Sequence, residues 1–558
     1  MKRVLTFLST FLFVWMANAN VRAQSSPPFT HADTLRGSIT PQRAWWNVTY
    51  YDLHVAVHPE DSTISGRNAI TYKVTNNARD MQIDLQEPLH IDKVVQDGEE
   101  LQYHRDGSAY FISMKAKQPV GSQQQIIIQY SGHPHIAKRP PWQGGFSWDK
   151  DKKGRPWIET TSQGIGASVW WPNKDQWQDE PDSMGIAVTV PDPLVDVSNG
   201  RLREKTHHAD GTTTYSWFVG NPINNYCAVV AIGNYRHFHG IYHGEKGNLD
   251  LDYWVLDYNL SKAKKYFPPQ VHKMLSSFEY WFGPYPFYED SYKLVDVAST
   301  GMEDQSNITY GNKYAYGYRG KDGSGTGWGM KFDFIIVHES AHQWWGNNVT
   351  ATDIADMWIH ESFANYAEAL YVESQFGKQA GKAYTRGERR NIKNDKPIIG
   401  HYGVHNEGSG DMYYKGGNML LTIREIINDD ATFRDILRGI QKKYYHQTVT
   451  TQQIKDYFIT RSGKNLDDVF DQYLRETDLP TLQYYIRNHR LHYRWKTSTK
   501  HFNMPLKVQL AEGKWTFIKP TTDRWQTARL RIQSPKDFKV DKNFYIKTDS
   551  LSVPKIGE

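Results

Sequence analysis

The stretch Ile335-Ile336-Val337-His338-Glu339-Ser340-Ala341-His342-Gln343-Trp344-Trp345-Gly346 decides how the rest of this chain is read. Its apolar lead-in predicts a buried helix, part of a helical run from Phe332 to Trp345. A spacing of four brings His338 and His342 onto one helical face, where both ring nitrogens reach a single tetrahedral Zn2+. Glu339 stands beside that position without binding the metal, as a base acting on water would. A catalytic zinc wants a third protein ligand and leaves its fourth position free. The next helical stretch, Met357-Trp358-Ile359-His360-Glu361-Ser362-Phe363-Ala364-Asn365-Tyr366, supplies Glu361, with eighteen residues between it and His342. Glu368, seven positions on, shares the face of Glu361 and reads either as a partner to a ligating histidine or as an exposed helix carboxylate.

Outward from this centre the pattern changes twice. Short alternating runs such as Val48-Thr49-Tyr50-Tyr51-Asp52-Leu53-His54-Val55 fill Trp45 to about Tyr235 and predict a mostly β domain over 24–238. Helical periodicity then runs from about Ser261 through Phe470 and predicts a mainly α domain over 239–480. After Pro480 alternation returns, as in Leu506-Lys507-Val508-Gln509-Leu510, and predicts a small β-sandwich over 481–558. The fold class is therefore multidomain α+β, in keeping with 558 residues, too many for one core. With 39% hydrophobic and 14% aromatic residues there is ample apolar area to bury.

Met1-Lys2-Arg3, an apolar run from Val4 to Met16, and small residues at Ala19 and Ala23 read as a secretory signal peptide over 1–23; an uncleaved anchor is the alternative. Its removal takes Lys2, Arg3 and Arg22 with it and lowers the formal charge from +5 to +2, which gives no support for nucleic-acid binding. The protein is expected to be exported, periplasmic or secreted, with no stable membrane insertion after cleavage. The lone Cys227 allows no internal disulfide and reads as a buried strand residue. Arg386, Arg389, Arg390 and Lys393 form the densest basic patch and read as a solvated helix face.

His-Glu-x-x-His, eighteen residues, then Glu resembles the signature of the aminopeptidase N family, zinc exopeptidases of the gluzincin type with a thermolysin-like catalytic domain. Three further stretches agree. Thr300-Gly301-Met302-Glu303-Asp304 resembles the family's G-x-M-E-N exopeptidase motif, Tyr413-Tyr414-Lys415-Gly416 its Y-x-K-G, and Trp281-Phe282-Gly283-Pro284-Tyr285-Pro286 the segment that precedes the exopeptidase motif. Thr300 and Asp304 depart from the first and last residues of G-x-M-E-N, and His360-Glu361-Ser362 replaces the usual Asn-Glu-Gly. These departures bear on the pocket for the first side chain more than on the chemistry.

The resemblance implies one Zn2+ held by His338, His342 and Glu361, with Glu339 as acid and base and the Tyr413 hydroxyl stabilising the oxyanion. It implies an amine site for peptides with a free N-terminus, formed by Glu303 with Gly301 and Met302. Thr161-Ser162-Gln163-Gly164 resembles the family's N-terminal-domain segment and adds Gln163; an ordinary loop amide is the alternative. Trp142, Trp148, Trp170 and Trp171 either wall the cleft or pack a core. The 78 residues after Pro480 imply a three-domain form without the family's helical C-terminal domain. A thermolysin-type endopeptidase, the epoxide-hydrolase branch of the family and a non-catalytic peptide-binding relative are the rival readings.

Overall fold

Along Trp46–His58 the residues Val48, Tyr51, Leu53, Val55 and Val57 turn inward while their neighbours stay partly exposed, the period of two that makes a half-buried strand. This strand pairs in parallel with Ser183–Pro191, Leu53 opposite Ile186 and Val55 opposite Val188, and antiparallel with Thr63–Val74. The three lie inside an eight-stranded sheet. The computed structural model describes residues 29–77, 80–115 and 117–553, so the expected signal segment lies outside the described residues.

A second sheet of four strands contains Pro156–Thr161, which delivers the chain to the turn carrying Gln163. Trp170 and Trp171 are buried in the N-terminal core, with Trp171 edge-on to Tyr51 at 5.0 Å, so they pack rather than line a cleft. Trp142 is exposed and Trp148 packs partly buried against the core. Cys227 is buried as expected but sits in a 3-10 turn, Asn225–Cys227, because the Asn224 side chain caps the Tyr226 amide. A short helix, α1 (His31–Gly37), precedes the sheets, opened by a Thr30/Asp33 capping box.

The catalytic part begins at strand Tyr235–Gly244, four residues before position 239. This strand opens a five-stranded mixed sheet whose far edge is Gly301–Met302, paired antiparallel with Ile308–Tyr310. Against the sheet lie α2 (Leu260–Phe282) and α3 (Phe334–Ala341); α4 (Trp358–Phe376) packs on α3, and α5 (Lys378–Gly387) and α6 (Tyr414–Ile427) pack on α4, followed by helices Asp430–Lys443, Thr451–Ser462 and Asp467–Arg475. In α2 the buried residues Phe267, Val271, Met274, Leu275, Phe278 and Phe282 recur at helical spacing and make one apolar stripe. Every residue of α3 from Ile335 to Ala341 is buried. Its edge-strand neighbour must be Gly301, at φ +135°, since a Cβ there meets Thr309 O at 2.6 Å and the Ile335 side chain at 2.8 Å.

Helix α3 is shorter than the expected Phe332–Trp345. His342 keeps helical angles, but the amides of Trp344 and Trp345 both bond to the Ala341 carbonyl at 3.1 Å, and the chain turns away. That early end leaves the Trp345 carbonyl free for a side chain. At the other end Asp333 caps the helix through Ile336 N and also accepts from Tyr310 Oη (2.6 Å), Asn312 Nδ2 (2.8 Å) and Tyr266 Oη (3.0 Å).

The residues after Pro480 form a four-stranded and a three-stranded sheet. The basic patch is not a free solvated face: Arg386 bonds Asn543 Oδ1, and Arg389 bonds the Asn543 and Lys542 carbonyls, which ties the C-terminal sheets to α5 and the turn after it. Arginine serves here because its planar fork reaches several carbonyls at once. Among the described residues, no helix is long and apolar enough to cross a membrane.

Removing the cap of α3 takes this acceptor from four donors, three of them buried. Asp333→Ala is expected to cost about 2–4 kcal/mol of stability. Chemical denaturation followed by tryptophan fluorescence checks this, and an unchanged midpoint contradicts the account of α3.

Candidate active site

The first two metal-directed side chains come from α3 and its last turn. His338 Nδ1 lies 2.7 Å from Glu368 Oε1, and His342 Nδ1 lies 3.0 Å from the Trp345 carbonyl. A carbonyl and a carboxylate only accept, so each Nδ1 carries the proton and each Nε2 presents a lone pair. The two Nε2 atoms are 3.4 Å apart. Glu361 Oε2, from α4, lies 3.7 Å from His338 Nε2 and 3.5 Å from His342 Nε2. Glu368 is therefore the partner of a candidate ligand histidine, not an exposed carboxylate; Tyr384 Oη and Asn365 Nδ2 hold it in turn at 2.5 and 3.4 Å.

This donor set fits zinc. A tetrahedral ion with ligands at roughly 2.0–2.1 Å needs donor atoms about 3.4 Å apart, close to the three separations found. Glu361 Oε2 is fully buried with no hydrogen-bond partner among the described residues, an arrangement a cation resolves. The setting is strongly anionic as well, since Glu303, Glu339, Glu361 and Glu368 are all buried within this cluster. Burial disfavours charge on the His338 and His342 rings, yet these carboxylates outweigh it. Burial also opposes ionisation of Glu361, but the two histidines overcome it and hold its carboxyl below the usual range. Glu339 lies with both histidines in a group whose ligand atoms are all within 4.8 Å of one another. It accepts no hydrogen bond from any described residue, and burial raises its pKa against the pull of the two rings.

Packing of α6 on α4 places Tyr413. Gly416 makes that packing close, because a Cβ there meets Ser362 Oγ at 1.8 Å, and Ser362 Oγ in turn donates to the Met412 carbonyl at 2.6 Å. Tyr413, at the N-cap of α6, then stacks near His338 with ring centres 6.0 Å apart. Burial and the adjacent Glu361 carboxylate push its phenol up, so it remains a donor.

Glu303 follows the edge strand Gly301–Met302 directly, and Met302 is buried beneath it. Gln163 Nε2 bridges Glu303 Oε1 (2.7 Å) and Glu361 Oε1 (3.0 Å), so the N-terminal domain reaches the metal ligands through this one amide. The turn bearing Gln163 is fastened from three sides. Gln86 Nε2 and Arg36 of α1 both donate to the Ile165 carbonyl, and His405 Nε2 bonds the Gly164 carbonyl at 2.5 Å. Arg36, His405, Trp177 and Tyr226 are residues of the site that sequence reasoning did not single out. They lie far apart along the chain and belong to no local pattern.

Two histidines from one helix and a glutamate from the next, converging on one cation position, define a mononuclear zinc centre of the gluzincin kind. The peptidase family M1 domain matches residues 269–473, and the peptidase M1 N-terminal domain matches residues 47–226. The chain belongs to peptidase family M1. It is 22% identical over 457 residues to the aminopeptidase N of Lactococcus lactis subsp. lactis, covering 77% of this chain and 51% of the relative. It is 23% identical over 473 residues to the aminopeptidase N of Lactobacillus helveticus, covering 78% and 52%. The chain thus spans about half the length of these relatives. Among solved structures, the M1 zinc metallopeptidase of Deinococcus radiodurans shares the fold with a TM-score of 0.68 at 21% identity, covering 80% of this chain and 98% of that one.

Glu368 acts on the metal only by aiming His338. Glu368→Gln is expected to weaken zinc affinity about 10–100-fold while the fold is retained. Chelator competition with a fluorescent zinc indicator measures it, and wild-type affinity contradicts the role given to Glu368.

Proposed function

We propose that this chain is an exported zinc aminopeptidase that hydrolyses the first peptide bond of peptides with a free amino terminus. The observation that carries this reading is the carboxylate of Glu303, held by Gln163 at 2.7 Å beside the candidate zinc ligands. A carboxylate there suits an α-ammonium. Since Gln163 is neutral, the amine meets a single charged anchor. The substrate-bound form of the Deinococcus radiodurans enzyme, a variant with Tyr-Ser-Ala, gives the peptide class for that relative, and family membership extends it to this chain as a proposal.

His338, His342 and Glu361 would hold the zinc, which would supply Lewis acidity and bring the ionisation of water down towards pH 7. Glu339, without a hydrogen-bond partner among the described residues, takes the proton from the attacking water and delivers it to the leaving amine. Tyr413 donates its hydroxyl hydrogen to the oxygen of the scissile carbonyl as negative charge develops there. An amine anchor at Glu303 and Gln163 argues against an endopeptidase, and the intact set of ligands, base and tyrosine argues against a non-catalytic relative.

Hydrolysis of alanine, leucine and arginine anilides beside their amino-blocked analogues, with and without chelator, tests the reading as a whole. Only the free-amine substrates are expected to turn over, and chelator is expected to stop them; cleavage of the blocked analogues at equal rates refutes exopeptidase action. Within it, Glu339→Gln is expected to lower kcat at least about 10³-fold, and Tyr413→Phe about 10² to 10³-fold, each with zinc retained. Glu303→Ala is expected to raise KM about 10- to 100-fold for free-amine substrates. An unchanged KM removes Glu303 as the anchor. Export rests on the basic, apolar and small-residue order of residues 1–23. N-terminal sequencing of protein from its native host is expected to begin after Ala19 or Ala23; an intact Met1 refutes cleavage.

A further inference from the structure

Three buried rings meet where the N-terminal domain touches α4, and none has a role in the chemistry above. Trp177 and Tyr226 come from the N-terminal domain, and His360 is the residue that stands where the family has asparagine, next to Glu361. The Trp177 indole stacks on His360 with centroids 5.0 Å apart and planes 5° apart, and on Tyr226 at 5.1 Å and 26°.

The hydrogen-bond directions in this cluster are fixed by a single backbone group. The Ala351 N–H donates to His360 Nε2 at 2.8 Å, so that nitrogen bears no proton and the neutral ring carries its hydrogen on Nδ1. Nδ1 faces Tyr226 Oη at 3.4 Å and donates to it. Tyr226 then has one hydrogen to give, and Glu303 Oε1 accepts it at 3.1 Å. Gln163 donates to that same oxygen at 2.7 Å. Both donors converge on Oε1, while Oε2 accepts no hydrogen bond from any described residue and stays open.

We infer that Tyr226 and His360 are positioning residues of the amine site: they lock Glu303 in one orientation, with one oxygen spent on the protein and the other presented to the substrate ammonium. The inference rests on the aminopeptidase reading. A carboxylate already fixed loses less conformational freedom when it binds, so the lock strengthens selection for a free amine. Because His360 and the candidate ligand Glu361 are adjacent on α4, the same helical turn sets both anchor and metal. Their separation, which decides how many residues fit between amine and scissile bond, is thereby held constant.

Tyr226→Phe removes one oxygen and keeps the ring stack. Its test compares leucine hydroxamate with 4-methylpentanehydroxamate, which differ only in the α-amine, as inhibitors of the zinc-loaded enzyme. The wild type is expected to bind the amine-bearing compound more tightly. In Tyr226→Phe that preference is expected to fall about tenfold, through weaker binding of the amine-bearing compound alone. KM for leucine anilide is expected to rise by the same factor, with kcat changed less than about threefold and zinc content retained. His360→Phe keeps an aromatic face for Trp177 and removes the donor. It is expected to show part of the same loss, and the double variant to be no worse than Tyr226→Phe, because the relay acts only through that hydroxyl. If His360→Phe does not fold, Tyr226→Phe decides alone. Equal weakening of both hydroxamates, or an undiminished preference, overturns the inference. A wild type that shows no preference for the amine and cleaves no free-amine anilide sinks the aminopeptidase reading, and the relay with it.

Discussion

Two imidazole lone pairs can share one cation only if the opposite nitrogen of each ring is held, and the rest of the site follows from how that is done. Glu368 holds His338, and the Trp345 carbonyl holds His342. The first of these partners sits on α4 together with Glu361, so one helix supplies both the third ligand and the group that aims the first. The second exists only because α3 stops at Ala341; in a continued helix the Trp345 carbonyl would be taken by an amide four residues on. What looks like a shortened helix is thus the source of a hydrogen bond the metal site requires.

Concentrating carboxylates in a dry interior carries a large desolvation penalty. Here the penalty falls on groups with work to do. Glu361 is answered by the two histidines and a cation, and Glu368 by His338, Tyr384 and Asn365. Glu303 is answered by Gln163 and Tyr226, both brought by the other domain. The seam between the domains therefore completes the active site. Arg36, Gln86 and His405 fasten the Gln163 turn, so the amide that meets Glu303 and Glu361 is itself held in place.

The division between local and remote information is visible residue by residue. His338 and His342 are legible because helical periodicity places residues four apart on one face whatever surrounds them, and Glu361 because it follows on the next helix at a set distance. Alternation marked the run Val48 to Val55 as strand for the same reason, and it lies inside the strand Trp46–His58. Local pattern misjudged Cys227, whose 3-10 turn depends on the Asn224 cap, and the basic patch at Arg386 and Arg389, whose partners Asn543 and Lys542 lie some 150 positions away. It left Glu368 and the tryptophans undecided, since burial on a helix or next to a strand is settled by what packs there.

By itself, then, the sequence determined the order of β, α and β domains, the two facing histidines with their glutamates, and the family motifs that name Glu303 and Tyr413. Periodicity and spacing are short-range, and they survive without knowledge of the fold. Only the tertiary structure decided that Gln163 meets Glu303 and Glu361, that Arg36 and His405 secure it, and that Tyr226, backed by His360, meets the same Glu303 oxygen as Gln163. Those contacts join residues separated by 77 to 241 positions, and no local rule of backbone geometry relates them.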